Sequence, residues 1–252
     1  MIVSSNAKKP KIHSSSYVAP SATIGGDVTI GSGCAVLHGA VVVSEGAPLT
    51  IGSDTVIMEN AVLKASGGSV LQFPLSIGER CIVGPHAYVV GATIGEGCFV
   101  AAGVKIFNGA TLEDGSGVAL GAIVHVKTRV PKGASVPMQH IAFGDPATIY
   151  PPDKAPEVHK LVTFYETVFN VEPGDDVRAR AAETYAKFLR KTHAHDAALD
   201  EHKNVKPPPR RSGEEPPQTQ ATEVDKVVDV MMLELEEMEH RRQAAIKRQK
   251  GR

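Results

Sequence analysis

The stretch TIGGDVTIGSGCAVLHGAVVV (residues 23–43) carries an aliphatic residue at every sixth position. Counting outward gives Ile12, Val18, Ile24, Ile30, Val36 and Val42, then Ile51, Ile57 and Leu63, then Ile77, Val83 and Val89. A last run follows through Ile94, Val100, Ile106, Leu112, Val118, Val124, Val130 and Val136. A helix repeats every 3.6 residues and a strand every two, so a sustained period of six belongs to neither element alone. It belongs to a coil of short strands, each with its aliphatic residue turned inward and a Gly or small polar residue at the bend. Three such units close a triangular turn of about 18 residues, and stacked turns bury one continuous aliphatic column. The glycines of TIGGDVTIG, SIGERCIVG and TIGEGCFVAAG suit tight corners, because Gly tolerates backbone angles that other residues resist.

The chain has 252 residues, enough for one sizeable domain with appendages. A net charge of −1 gives no global drive toward nucleic acid or a membrane surface. Tryptophan is absent, as expected of a narrow core filled by branched aliphatics. Cys34, Cys81 and Cys98 all fall within the repeats without CxxC spacing, which predicts buried reduced thiols. No signal peptide or membrane-length apolar run is visible, so a cytoplasmic location is expected and no transmembrane segment.

The period breaks first at SEGAPL (44–49) and again at KASGGSVLQFPLS (64–76), an excursion that must leave the column as a loop. It ends after Val136, and the prolines at 151 and 152 close a domain spanning 1–150. Helices are expected over 151–203. EVHKLVTFYETVF (157–169) carries an apolar stripe at helical spacing, and a second helix runs through DDVRARAAETYAKFLRKTHAH (175–195). Both would pack along the outside of the coil stack. Residues 204–221 are rich in Pro and charge and read as a disordered linker. Residues 222–252 read as an amphipathic helix with a basic end, Val224, Val228, Met231, Leu235 and Met238 following a short coiled-coil seam. That segment could zip between subunits, dock on a protein partner, or fray.

The repeat resembles the hexapeptide-repeat family of left-handed parallel β-helices. Within it, the γ-carbonic-anhydrase-like branch is similar over residues 14–153: YVAPSATIGGDVTIG, AVVVSEGAPLTIGSDTVIMENAVL, VGPHAYVVGATIGEGCFVAAG and VPMQHIAFGDPATIYPPD follow its pattern. The five-residue step from Val89 to Ile94 is shared with that branch. The fold class expected is therefore an all-β left-handed parallel β-helix followed by C-terminal α-helices. The resemblance implies a homotrimer with a zinc site between subunits, built from three histidines. The three matching positions here are Lys64, Pro85 and Val90, and the supporting RGD and NxQD stretches read VSE (43–45) and VIME (56–59). Pro and Val have no donor, and a lysine would have to shed its proton, so the usual three-His zinc site is not present.

Three readings follow. A remodelled zinc site would draw on His86, beside a ligand position, and on His125 and His13, which strand alternation turns outward. An acyl-coenzyme-A-dependent transferase would need a histidine base, for which His38 and His140 are the candidates. A non-catalytic scaffold or binding protein would keep the prism and the trimer faces without the metal residues. Relatives of that last kind are structural subunits of larger complexes, and the linker and amphipathic tail suit tethering.

Overall fold

The computed structural model describes residues 1–67, 72–161, 171–172 and 174–199. The linker expected at 204–221 and the amphipathic segment at 222–252 lie outside the described residues, as do 162–169 of the first expected helix.

The chain winds as a left-handed parallel β-helix of about 8 turns, its three faces being separate parallel sheets. The second sheet shows the rule most simply: Lys11–Ile12, Val28–Ile30, Leu49–Ile51, Leu75–Ile77, Thr93–Ile94, Thr111–Leu112 and Arg129–Val130 stack in that order. Its register places Ile12, Ile30, Ile51, Ile77, Ile94, Leu112 and Val130 directly over one another. The third sheet stacks Val18, Val36, Ile57, Val83, Val100, Val118 and Val136 in the same way. From Ile24 to Val136 every one of the periodic residues is buried, while Ile12 and Val18 on the opening coil are only partly so, having no complete turn beyond them. Each buried aliphatic side chain contributes about 1.5–3 kcal/mol relative to exposure, so the column is the main source of stability.

A second inward position lies two residues before each aliphatic one and holds a small side chain at a corner. There the cysteines find their role. Ser16, Cys34, Thr55, Cys81 and Cys98 each donate to a main-chain carbonyl of the following coil, at Gly31 (2.6 Å), Gly52 (3.1 Å), Gly78 (2.9 Å), Gly95 (3.1 Å) and Glu113 (3.3 Å). All three cysteines are buried and unbridged, because a thiol fits this corner as a compact side chain with one weak donor.

The first sheet departs from the simple repeat and positions everything discussed below. Its strands Val41–Glu45 and Val62–Gly67 run past the corner and pair in register from Val41–Val62 to Glu45–Ser66. The two breaks in the period are thus stacked on neighbouring coils. An extension on one coil exposes a row of backbone groups, and an equal extension on the next satisfies them. The excursion at 64–76 is therefore in part a β-ribbon, with Gln72–Phe73 returning antiparallel to Ser66 and Gly67. Beyond Val136 the chain completes one more strand of this sheet, Ile141–Phe143, and folds back through Thr148–Tyr150.

Helix α1 (Ala155–Lys160) and helix α2 (Val177–Thr192) follow. Ala181, Tyr185, Phe188 and Thr192 share one stripe of α2 at i, i+4, i+7 and i+11, and Ala181 and Thr192 are buried. The described chain ends in a strand, Ala197–Leu199, antiparallel to the opening strand Ile2–Ser4. The C-terminal segment accordingly leaves the last coil and closes the edge of the first. Among the described residues no helix is long and apolar enough to cross a membrane.

Candidate functional site

Val42, Leu63 and Val89 point inward on the first sheet, so the residues that follow them point outward. Register aligns Gly25, Val43, Lys64 and Val90 as one outward column. Two of the three expected ligand positions, Lys64 and Val90, are therefore direct cross-strand neighbours. Pro85 sits at the corner leading into the same strand, where its carbonyl accepts from Gly103 N (2.9 Å).

Its chemistry is of another kind. Lys64 Nζ lies 2.6 Å from Glu45 Oε2 and donates to the Tyr185 hydroxyl at 2.8 Å, and that hydroxyl donates to Glu45 Oε2 at 3.3 Å. The ammonium also stands 5.5 Å from the centre of the Tyr185 ring. His193 extends the group, with Nε2 3.7 Å from Glu45 Oε1 and Nδ1 2.7 Å from Asp196 Oδ2. Both charged partners are largely enclosed, the side chains of Lys64 and Glu45 being 17% and 11% exposed. Burial alone would lower the Lys64 pKa, but the hydrogen bonds and charge of Glu45 and Tyr185 outweigh it and hold the ammonium above its ordinary value. Burial is likewise the largest influence on Tyr185 and raises its phenol. For Asp196 burial is opposed and outweighed by the Ser5 hydroxyl and His193, which hold its carboxyl below the usual range. An ammonium stabilised in this way has no lone pair to offer a metal, and Val90 and Pro85 have none at any pH.

The candidate histidines are dispersed. His13 is exposed on the first coil, with Nδ1 2.8 Å from Ser15 Oγ. His86 is exposed and occupies a corner with φ +57°, where neighbouring coils place Asn60 (φ +57°) and Gly103 (φ +67°). It turns the chain rather than facing the ligand column. His125 is the third outward residue beyond Lys64 on that column, packed between Phe107 and Phe143 at ring-centre distances of 6.1 and 5.6 Å. His38 pairs with Ser21 Oγ (2.9 Å), and His140 Nδ1 lies 2.8 Å from the Met138 carbonyl. Among the described residues no three His, Cys, Asp or Glu side chains of one chain converge as a metal cluster.

His125 does carry a measurable consequence. Burial first, and the nearby His159 charge second, lower its pKa below the ordinary value of about 6.5. The unfolded chain then binds the proton more readily than the folded one, so stability is full above about pH 6.5 and falls as pH drops through the folded-state value. His125→Phe is expected to flatten this part of the profile. Thermal unfolding between pH 8 and 5 that gives parallel curves for both proteins would remove the assignment.

Tyr185, Glu45 and His193 complete the site and are not legible as a group in the sequence. The available signal was a lysine and a glutamate set into two stretches that otherwise alternate aliphatic and small residues.

The chain is similar to several known proteins. The family model for the hexapeptide repeat of succinyl-transferase matches residues 74–108. Gamma carbonic anhydrase 1, mitochondrial, of Arabidopsis thaliana is 27% identical over 192 residues, covering 74% of this chain and 68% of the relative. Gamma carbonic anhydrase 2, mitochondrial, of the same plant is 34% identical over 130 residues, covering 50% and 46%. Among solved structures, a hexapeptide transferase family protein from Anaplasma phagocytophilum superposes with a TM-score of 0.44 at 20% identity, covering 75% of this chain and 96% of the other. The period of six, the three-sheet prism, the repeat match and the two plant relatives support a γ-carbonic-anhydrase-like hexapeptide-repeat protein.

Proposed function

We propose that the protein is a non-catalytic, trimeric scaffold or binding member of the γ-carbonic-anhydrase-like group, without zinc at the inherited ligand positions. The observation that carries this reading is the state of Lys64. The residue at the first ligand position is committed as an ammonium to Glu45 and Tyr185, beside a valine that cannot ligate. Assembly is supported by the outward side of the third sheet. Register stacks Tyr17, Ala35, Val56, Ile82 and Phe99 there without a charge, and Tyr17 and Phe99 are about half exposed. An uncharged flat face of this length is suited to burial against another subunit.

The test is made on untagged protein purified without chelator, with light scattering and elemental mass spectrometry on the same fraction. A trimer with far less than one zinc or iron per chain is expected. Stoichiometric metal would overturn the non-catalytic reading, and a monomer would overturn the assembly.

A further inference from the structure

Helix α2 and the strand Ala197–Leu199 beyond it form a strap, which ends by pairing with Ile2–Ser4. Helix α2, at 16 residues, is about 24 Å long. Among the described residues the strap meets the prism through side chains as well as through that strand pairing. Phe188 lies over Gly46 at the end of the ribbon, where a Cβ would approach its ring tip to 3.5 Å. Tyr185 meets Lys64 and Glu45, and His193 with Asp196 follows about two helical turns later, just past the helix end.

Among the described residues the polar contacts of helix α2 with the coil stack centre on the Lys64 ammonium. Tyr185 receives a hydrogen bond from Lys64 and gives one to Glu45, so its hydroxyl joins both members of the ion pair. Glu45 is approached by Lys64 on one oxygen and by His193 on the other. Without the ammonium the carboxylate would keep one phenol donor and an imidazole at 3.7 Å. The strap's partners, Tyr185 and His193, are thus organised by a residue of the coil stack through Glu45.

We propose that Lys64 is a tethered internal cation that anchors the C-terminal strap, doing for the strap what an inorganic ion does when it organises ligands from separate elements. Its task is to fasten helix α2 and the strand beyond it over the outward column of the first sheet, which keeps the first coil edge covered. Lys64 is a positioning residue in this role, acting through Glu45 and Tyr185.

Hydrogen exchange measured by mass spectrometry on the full chain tests this. Lys64→Ala is expected to raise exchange in 177–199 and in 2–4 by roughly tenfold to a hundredfold, with strands at 93–136 unchanged. Addition of n-propylamine, a small primary ammonium at neutral pH, should restore protection in Lys64→Ala and have no effect on the native protein. Unchanged exchange in the strap, a uniform rise across all coils, or a selective loss that the amine leaves in place would each overturn the proposal. Should Lys64→Ala fail to fold, Tyr185→Phe removes the coupling hydroxyl without stranding a charge. It is expected to give the same local pattern at smaller amplitude, and an unaffected strap would again be contrary. Metal content does not enter this measurement, so its failure is separable from failure of the scaffold reading.

Discussion

Lys64→Met is expected to destabilise the protein by about 3–5 kcal/mol, because it leaves the enclosed Glu45 carboxylate without its counter-charge. The loss is not the strength of the ion pair. It is the penalty for a charge that must stay out of water with a weak donor set. The double change Lys64→Met with Glu45→Leu removes both charges and is expected to recover most of the stability, since apolar replacements of a buried pair are often neutral. Urea unfolding of the two single variants and the double completes the cycle. A Lys64→Met variant within about 1 kcal/mol of the native protein, the value of an exposed pair, would show that the group is open to solvent.

The second large effect is expected at a corner of the stack. A Cβ placed on Gly78 would lie 2.6 Å from both the carbonyl carbon and oxygen of Gly95, and one on Gly52 would lie 2.6 Å from the carbonyl carbon of Gly78. These are backbone atoms of the next coil, held by the ladder bonds Gly52 N to Ile77 O (2.8 Å) and Gly78 N to Ile94 O (2.8 Å), so they cannot swing aside. Gly78→Ala must open the coil spacing locally, at a cost of about 3 kcal/mol or more. Gly103→Ala is the control. Its φ of +67° is strained for alanine, but nothing stands within 4 Å of the added methyl, so about 1–2 kcal/mol is expected. If Gly103→Ala proves the more damaging of the two, close coil stacking is not what selects glycine at position 78.

The two predictions differ in how visible their residues were. Gly78 belongs to SIGERCIVG, a stretch whose period announces a corner, and the corner is where the structure places it. Lys64 stood out as a mismatch with the pattern that the chain otherwise follows. What it does instead required coordinates.

Alternation along short strands is a local property. Each residue's inward or outward direction follows from its distance in sequence to the nearest corner, so a linear reading could assign the column from Ile24 to Val136, and the cysteines with it. The same reading placed the breaks at 44–49 and 64–76. It did not reveal that Val41–Glu45 and Val62–Gly67 pair there as a ribbon, because that depends on the two extensions being on adjacent coils. Nor does period mark Ala197–Leu199 as a strand, since its partner is the opening strand at the far end of the chain.

The sequence by itself determined the prism and its buried aliphatic column. Only the tertiary structure decided that Lys64 meets Glu45 across one coil spacing and Tyr185 across 121 residues of chain. The reason is physical: a repeat fixes which way each side chain points, whereas the neighbour it finds is set by the path of a non-repeating segment that returns over the outside of the fold.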